Sequence, residues 1–260
     1  MRFPARIEAH YRKREWTENG IGRSGARVLV SDDSVLKIQP ASARTEREVV
    51  LLRWLEGRLP APRVIACEQS DGYSYLLMTR ITGKMACDGM YLDQPKLLLS
   101  RLAEAIQMTW AVDIADCPVM RTPEMMLREA RKRVEDGLVD RDDADPGTYG
   151  PNGFRDPEAL LEWLEGHVPP MDPVFSHGDF CLPNVLLNER GVSGLIDLGD
   201  AGVSDRWRDL ALCHRSLRHN VDGTYGKVRP GHDADRLFDL LGVPKDPEKL
   251  KWYLLLDELS

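Results

Sequence analysis

No segment of the chain approaches the roughly eighteen consecutive apolar residues that span a membrane, and the N-terminus lacks the apolar core of a secretory signal. Paired cysteines are missing too. Cys67, Cys87, Cys117, Cys181 and Cys213 stand far apart and make no metal-binding spacing with the six histidines. This argues against a disulfide scaffold and sets the expectation of reduced thiols in a cytoplasmic setting. An excess of basic charge is absent: 35 Lys and Arg against 42 Asp and Glu leave a net charge of −7 and a pI near 5.5. Nucleic acid and anionic membrane surfaces are therefore poor partners. No repeat, low-complexity tract or linker interrupts the 260 residues, enough for two small lobes sharing one cleft. Asp145-Pro146-Gly147 and Pro169-Pro170 read as surface corners. Gly83-Lys84 is not a Walker-type loop, since Met85 follows and no glycine stands five residues before Gly83.

The informative stretch begins at His177-Gly178-Asp179, continues to Asn184 and ends at Ile196-Asp197-Leu198-Gly199. It supplies a candidate base, Asp179, and two oxygen ligands for a hard cation, Asn184 and Asp197, which are the parts needed to move a phosphoryl group to a hydroxyl. Residues 185–187 and 192–196 are strand-prone runs about a turn at 188–191. Antiparallel pairing about that turn is expected to set Asn184 opposite Asp197. Singly, each of these residues is an ordinary turn residue; the ordered set reads as a catalytic loop.

A phosphate-handling apparatus then belongs upstream. Gly20-Ile21-Gly22-Arg23-Ser24-Gly25 fits a glycine-rich loop whose amides cover phosphates. Lys37 lies in an aliphatic strand over 34–38, where an ammonium needs an anion. Behind such a loop it suits the α- and β-phosphates. The spacing predicts a helix over 45–56 carrying Glu48. Glu48 has two competing uses, as the partner of Lys37 or as the acid of a Thr45-to-Glu48 capping box; Glu46 is the fallback partner. Strands over 61–67 and 73–78 flank the hairpin turn Asp71-Gly72. The pattern gives about five strands and one helix by residue 79, with strand content afterwards shrinking to the catalytic hairpin. Helices are predicted over 95–108, 123–134 and 157–164. The fold class expected is α+β in a two-lobed, protein-kinase-like arrangement, with a nucleotide-binding lobe over 1–80 and a catalytic and substrate-binding lobe over 81–260.

At this point the chain resembles the aminoglycoside phosphotransferases, most closely the 3′-phosphotransferases acting on kanamycin- and neomycin-type antibiotics. The resemblance spans nearly the whole length. It includes Trp54-Leu55-Glu56-Gly57, Leu76-Leu77-Met78, Val174-Phe175-Ser176-His177-Gly178-Asp179, Asp205-Arg206-Trp207-Arg208-Asp209-Leu210-Ala211 and Leu254-Leu255-Leu256-Asp257-Glu258-Leu259. It implies a catalytic Asp179, Mg²⁺ held by Asn184 and Asp197, and Lys37 paired with Glu48 on the phosphates. It also implies Ser24 and Gly25 in the covering loop, and the purine of ATP (GTP not excluded) against Met78 and the backbone of Thr79 and Ile81. The aromatic that stacks on the base in relatives is here Val35. Asp209 is expected to be buried and to brace the catalytic loop, with His177 supporting it and Arg215 a neighbour of Asp179.

The acidic segment holding Glu135, Asp136, Asp140, Asp142, Asp143 and Asp145 reads either as a solvated loop or as an attractor for a polycation. Each charge-assisted hydrogen bond contributes roughly 1.5–3 kcal/mol, so three or four suffice for micromolar binding of a cationic aminoglycoside. By resemblance this segment closes over the antibiotic, and Asp142, Asp143, Asp145, Arg215, Asp257, Glu258 and the terminal Ser260 line its site. Relatives often end in phenylalanine, and the position of Asp200 is basic in at least one of them. Two other readings stay open on sequence: a kinase-fold enzyme for choline or a sugar, and a nucleotide-binding module without catalysis.

Overall fold

Alternating aliphatic runs and tight turns fold the first third of the chain into a twisted antiparallel sheet. The computed structural model describes residues 3–19 and 26–260. Helix α1 (Ala5–Tyr11) is followed by β1 (Thr17–Asn19), β2 (Arg27–Val30), β3 (Ser34–Pro40), α2 (Ala43–Trp54), β4 (Val64–Ser70) and β5 (Tyr73–Thr79). The strands order as β1-β2-β3-β5-β4. The β4–β5 turn is closed by Asp71 and Gly72, both at positive φ (53° and 79°), as a two-residue hairpin requires. The two-residue period of β3 divides its side chains. Leu36 and Ile38 pack with Leu29, Tyr75 and Leu77 against Ile7 of α1 and against Phe3 just before it, while Lys37 emerges on the α2 side. Helix α1 was not foreseen from the sequence.

The remainder is helical around a second core. In order come β6 (Lys84–Met85), α3 (Gly89–Leu92), α4 (Pro95–Trp110), α5 (Pro123–Glu135), α6 (Pro157–Gly166), β7 (Pro173–Ser176), a 3₁₀ turn (Leu182–Asn184), β8 (Val185–Asn188), β9 (Gly191–Leu195), β10 (Gly202–Asp205), α7 (Arg206–Val221), α8 (Arg236–Leu241) and α9 (Pro247–Asp257). Strand content therefore does not shrink to one hairpin: β6 joins β8–β9 as a third strand, and β10 pairs with β7. These extra strands are two to four residues long, too short to leave a periodic signal. Proline opens α4, α5, α6 and α9, where its missing N–H costs nothing. One continuous apolar core runs from α2 and β5 through α4 to α7 and α9. Among the described residues no helix is long and apolar enough to cross a membrane, and the five cysteines are free.

Candidate active site

The segment His177-Gly178-Asp179 leaves β7 and is held from below by one carboxylate. Fully buried Asp209, in the first turn of α7, accepts hydrogen bonds from Ser176 Oγ (2.8 Å), His177 N (2.8 Å) and Gly178 N (2.9 Å). The His177 ring is buried and its tautomer is fixed by its partners. Nε2 lies 2.9 Å from the Ile196 carbonyl, which can only accept, and Nδ1 accepts the Asp179 N–H at 3.3 Å. Gly178 sits at φ +82°, and a Cβ there would come within 2.1 Å of the Asp200 carbonyl. Only glycine passes the chain through this point. The Asp179 carboxylate faces Asn184, whose Nδ2 donates at 2.9 Å to both its Oδ2 and its backbone oxygen.

The hairpin brings Asn184 beside the Asp197 segment, but the register differs from the expected one. Val185 pairs with Leu195, and the Asn184 carbonyl accepts from Ile196 N at 3.0 Å. Asn184 is therefore opposite Ile196, one residue short of Asp197; a bulge opposite Leu186 and Leu187 slips Ser193 out of the ladder and brings Asn184 one residue nearer to Asp197 than the turn alone would. Asp197 follows at φ +60°, a left-handed conformation uncommon outside glycine. Its Oδ1 accepts from Lys37 Nζ at 2.8 Å, and the same ammonium reaches Glu48 Oε1 and Oε2 at 3.0 and 3.1 Å. The competition for Glu48 is settled by the cap. Ser42 opens α2 in a reciprocal box with Thr45, so Glu48 is a full turn inside and points at Lys37. Burial pulls the Lys37 pKa down, but Glu48 and Asp197 outweigh it and hold the ammonium above its ordinary value. Burial raises Asp197, and Lys37 and Arg44 outweigh that in turn, keeping the carboxylate ionised. With Asn184 donating through nitrogen, its amide oxygen stays available beside an ionised carboxylate. This oxygen-only donor set suits Mg²⁺, which takes one or two protein ligands plus phosphate oxygens.

Around the cleft edge, buried Met78 pairs with half-buried Val35 across β3–β5. The Thr79 N–H is committed to the Arg63 carbonyl at 2.9 Å, and Arg80 N to Asp33. Ile81 is half-buried against Gly194. Ser24 and Gly25 lie outside the described residues. At the other end, Arg215 of α7 contacts Asp257, Glu258 Oε1 (3.3 Å) and Asp145 Oδ2 (3.6 Å). Glu258 also accepts from Asp145 N at 3.1 Å. Burial pushes the Glu258 carboxyl up to about 7 and raises Asp257 as well. Asp142 and Asp143 are exposed, and exposed Ser260 donates through Oγ to the Asp257 carbonyl. Arg215 thus turns to the C-terminal acids, and the pKa of its partner Asp257 is raised by burial and also by the nearby negative charge of Asp179.

Comparison with known proteins decides the family. A family model described as the phosphotransferase enzyme family matches residues 15–251. An aminoglycoside 3′-phosphotransferase of Enterococcus faecalis is 34% identical, with 100% of this chain and 98% of that protein covered. The chain belongs to the aminoglycoside phosphotransferase family. Among solved structures, the crystal structure of an aminoglycoside-3′-phosphotransferase of type VIII superposes with a TM-score of 0.81 at 30% identity, covering 98% and 96% of the two chains. An aminoglycoside phosphotransferase from Streptomyces rimosus, solved with ADP and streptomycin, gives 0.79 at 25% identity over 98% and 96%. The fold is accordingly the kinase-like one of this family, α+β with a strand-rich first part and a helical second part.

This aminoglycoside phosphotransferase family member also contains site residues that sequence reasoning passed over. Arg44, four residues before Glu48 on the same face of α2, binds Asp200 (2.8 Å) and approaches Asp197 (3.5 Å). Arg121 and Arg208 close on Asp200 from the helical side. The i, i+4 spacing of Arg44 and Glu48 was a usable signal; the approach of α2 to residue 200 was not readable without the fold.

Proposed function

We propose that this protein is an ATP-dependent O-phosphotransferase that modifies aminoglycosides at the 3′-hydroxyl and so confers resistance. The observation that carries the reading is the hydrogen-bonded pair Asp179–Asn184 set beside the pair Lys37–Asp197 through the Ile196 N–H on the Asn184 carbonyl, with a cluster of acids at Asp145, Asp257 and Glu258. The two pairs assemble around a nucleotide triphosphate; the cluster offers anions to a polycation. Residues 1–80 form the nucleotide lobe and 81–260 the catalytic and antibiotic lobe.

In this reading Lys37, braced by Glu48, binds the α- and β-phosphates under the loop that contains Ser24 and Gly25. Thr79 offers its carbonyl and Ile81 its N–H to the purine, with Met78 behind it. Asn184 and Asp197 would hold Mg²⁺, which would neutralise negative charge on the phosphate oxygens. Asp179 orients the antibiotic hydroxyl and accepts its proton as the oxygen attacks the γ-phosphorus and ADP departs. The transition state is loose, so positioning supplies most of the acceleration. Asp142, Asp143, Asp145, Asp257, Glu258 and the carboxylate of Ser260 receive the substrate ammoniums, and Arg215 holds the acids together until they arrive.

The test is ADP release from Mg²⁺-ATP with kanamycin, neomycin and the 3′-deoxy aminoglycoside tobramycin as acceptors. Turnover of kanamycin without tobramycin supports both class and position. The streptomycin complex of the Streptomyces rimosus relative favours a second reading, transfer at a 3″-hydroxyl. Turnover of streptomycin in place of kanamycin would establish it.

A further inference from the structure

Helix α2 presents Arg44, Arg47 and Glu48 on one face, and each is tied across the cleft or to Lys37. Arg44 Nε donates to Asp200 Oδ2 at 2.8 Å while its Nη2 stands 3.5 Å from Asp197 Oδ1. Arg47 reaches Glu129 at 3.3 Å, and Glu129 is gripped by both terminal nitrogens of Arg121 at 2.7 and 2.9 Å. Arg121 Nη2 in turn lies 4.0 Å from Asp200 Oδ1. Charges alternate along a path that leaves α2 at Arg44 and returns to it at Arg47, with Asp200 as the shared carboxylate. Half-buried Arg208 donates to the Asp200 carbonyl at 2.9 Å and fixes the backbone beneath.

The contact is close as well as charged. Arg44 lies against Gly199, where a Cβ would meet the guanidinium carbon at 2.9 Å. Asp197 keeps its left-handed φ of +60° only because its surroundings hold it there. Lys37 holds it from one side. An ammonium that engages phosphates has less to give Asp197, and Arg44, anchored by Asp200, then remains as the polar link between α2 and the Asp-Leu-Gly segment.

We infer that Arg44 and Asp200 are a positioning pair that sets the Asp197 carboxylate for a metal–nucleotide complex. The inference rests on the phosphotransferase reading above. It concerns a residue pair that neither touches substrate nor transfers a proton, so binding is the sensitive readout. Calorimetric titration of ADP with and without Mg²⁺ would be run on the wild type, Arg44→Gln, Arg44→Lys, Asp200→Asn and the double variant, with thermal unfolding measured alongside. Arg44→Gln should lose about tenfold of the Mg²⁺-dependent gain in ADP affinity, equivalent to about 1.4 kcal/mol. Metal-free affinity, which Lys37 governs, should stay within about threefold. Arg44→Lys should recover part of the gain, and the double variant should be no worse than either single change. A full Mg²⁺-dependent gain in Arg44→Gln, or losses that multiply in the double variant, would overturn the inference. Should Asp200→Asn fail to fold because Arg121 and Arg208 lose their counter-ion, the comparison of Arg44→Gln with Arg44→Lys decides alone. A wild type that binds no ADP under any condition sinks the phosphotransferase reading instead.

Discussion

Asp179 and Glu258 are both carboxylates in one enzyme, and their surroundings give them opposite tasks. Asp179 is held by the amide of Asn184 on a loop that Asp209 and His177 fix from beneath. Asp179→Ala should lower turnover by about 10²- to 10⁴-fold with nucleotide affinity unchanged, because Lys37 and Asp197 are untouched. A variant with near-normal turnover would remove Asp179 from the mechanism. Glu258 faces Arg215, Asp145 and Asp257, and burial lifts it to about 7 against an ordinary 4.5. Folding therefore takes up a proton between those values. The stability this group contributes is complete below its ordinary pKa and is lost as pH rises through about 7. The same ionisation creates an anion for a cationic antibiotic. Between about pH 6 and pH 8 the antibiotic KM should fall while the melting temperature of the free enzyme declines. Glu258→Gln should flatten both trends. A wild-type KM that is level over that range would detach Glu258 from substrate binding. At this scale the sequence was legible in the contact of Lys37 with Glu48 and in the nearness of Asp179 to Asn184, both suggested by motif order. It was illegible for Arg44, whose partner lies 156 positions away along the chain.

Elements were readable in proportion to their length. The helices opened by Pro95, Pro123 and Pro157 were found, each predicted to stop one or two residues short of its actual end. The strand β3 and the Asp71-Gly72 hairpin were found because aliphatic alternation and turn chemistry agree there. The cap of α2 was misplaced by three residues, from Thr45 to Ser42, since Ser42 and Thr45 form the box between themselves. That shift is what frees Glu48. Ser42→Ala should cost about 1 kcal/mol and a few degrees of melting temperature without affecting turnover. The Asn184 register was misjudged by one residue: the turn that pairs Asn188 with Gly191 sets Asn184 against Leu195, and a bulge at Ser193, which carries no compositional mark, advances it only as far as Ile196. Gly178 is the opposite case, an element-level constraint visible as soon as the loop is built. Gly178→Ala places a methyl against the Asp200 carbonyl at positive φ. It should destabilise the fold and abolish transfer together, whereas a folded and active Gly178→Ala would mean that the Asp200 carbonyl yields freely. Circular dichroism melting with the ADP-release assay separates the two.

For the whole molecule, two kinds of electrostatics operate at different depths. In the proposed function the nucleotide end rests on buried partners, Lys37 with Glu48 and Asp197, and the antibiotic would approach past exposed acids at Asp136, Asp140, Asp142 and Asp143 on a chain of net charge −7. Exposed charges are screened over a Debye length of about 10 Å at 0.1 M salt and about 3 Å at 1 M, and buried pairs much less. Encounter with a polycation should therefore weaken with salt more steeply than nucleotide binding. Raising KCl from about 0.05 to about 0.5 M should increase the kanamycin KM about tenfold and the Mg²⁺-ATP KM only about two- to threefold. The acidic segment can be tested within the same experiment. Asp142→Asn with Asp143→Asn should raise the antibiotic KM at low salt and reduce its salt dependence, leaving kcat unchanged, because neither side chain reaches the reacting atoms. Equal salt dependence for both substrates, or a double variant with wild-type kinetics at low salt, would return this segment to an ordinary solvated loop. The antibiotic would then be held by Asp145, Asp257 and Glu258 alone.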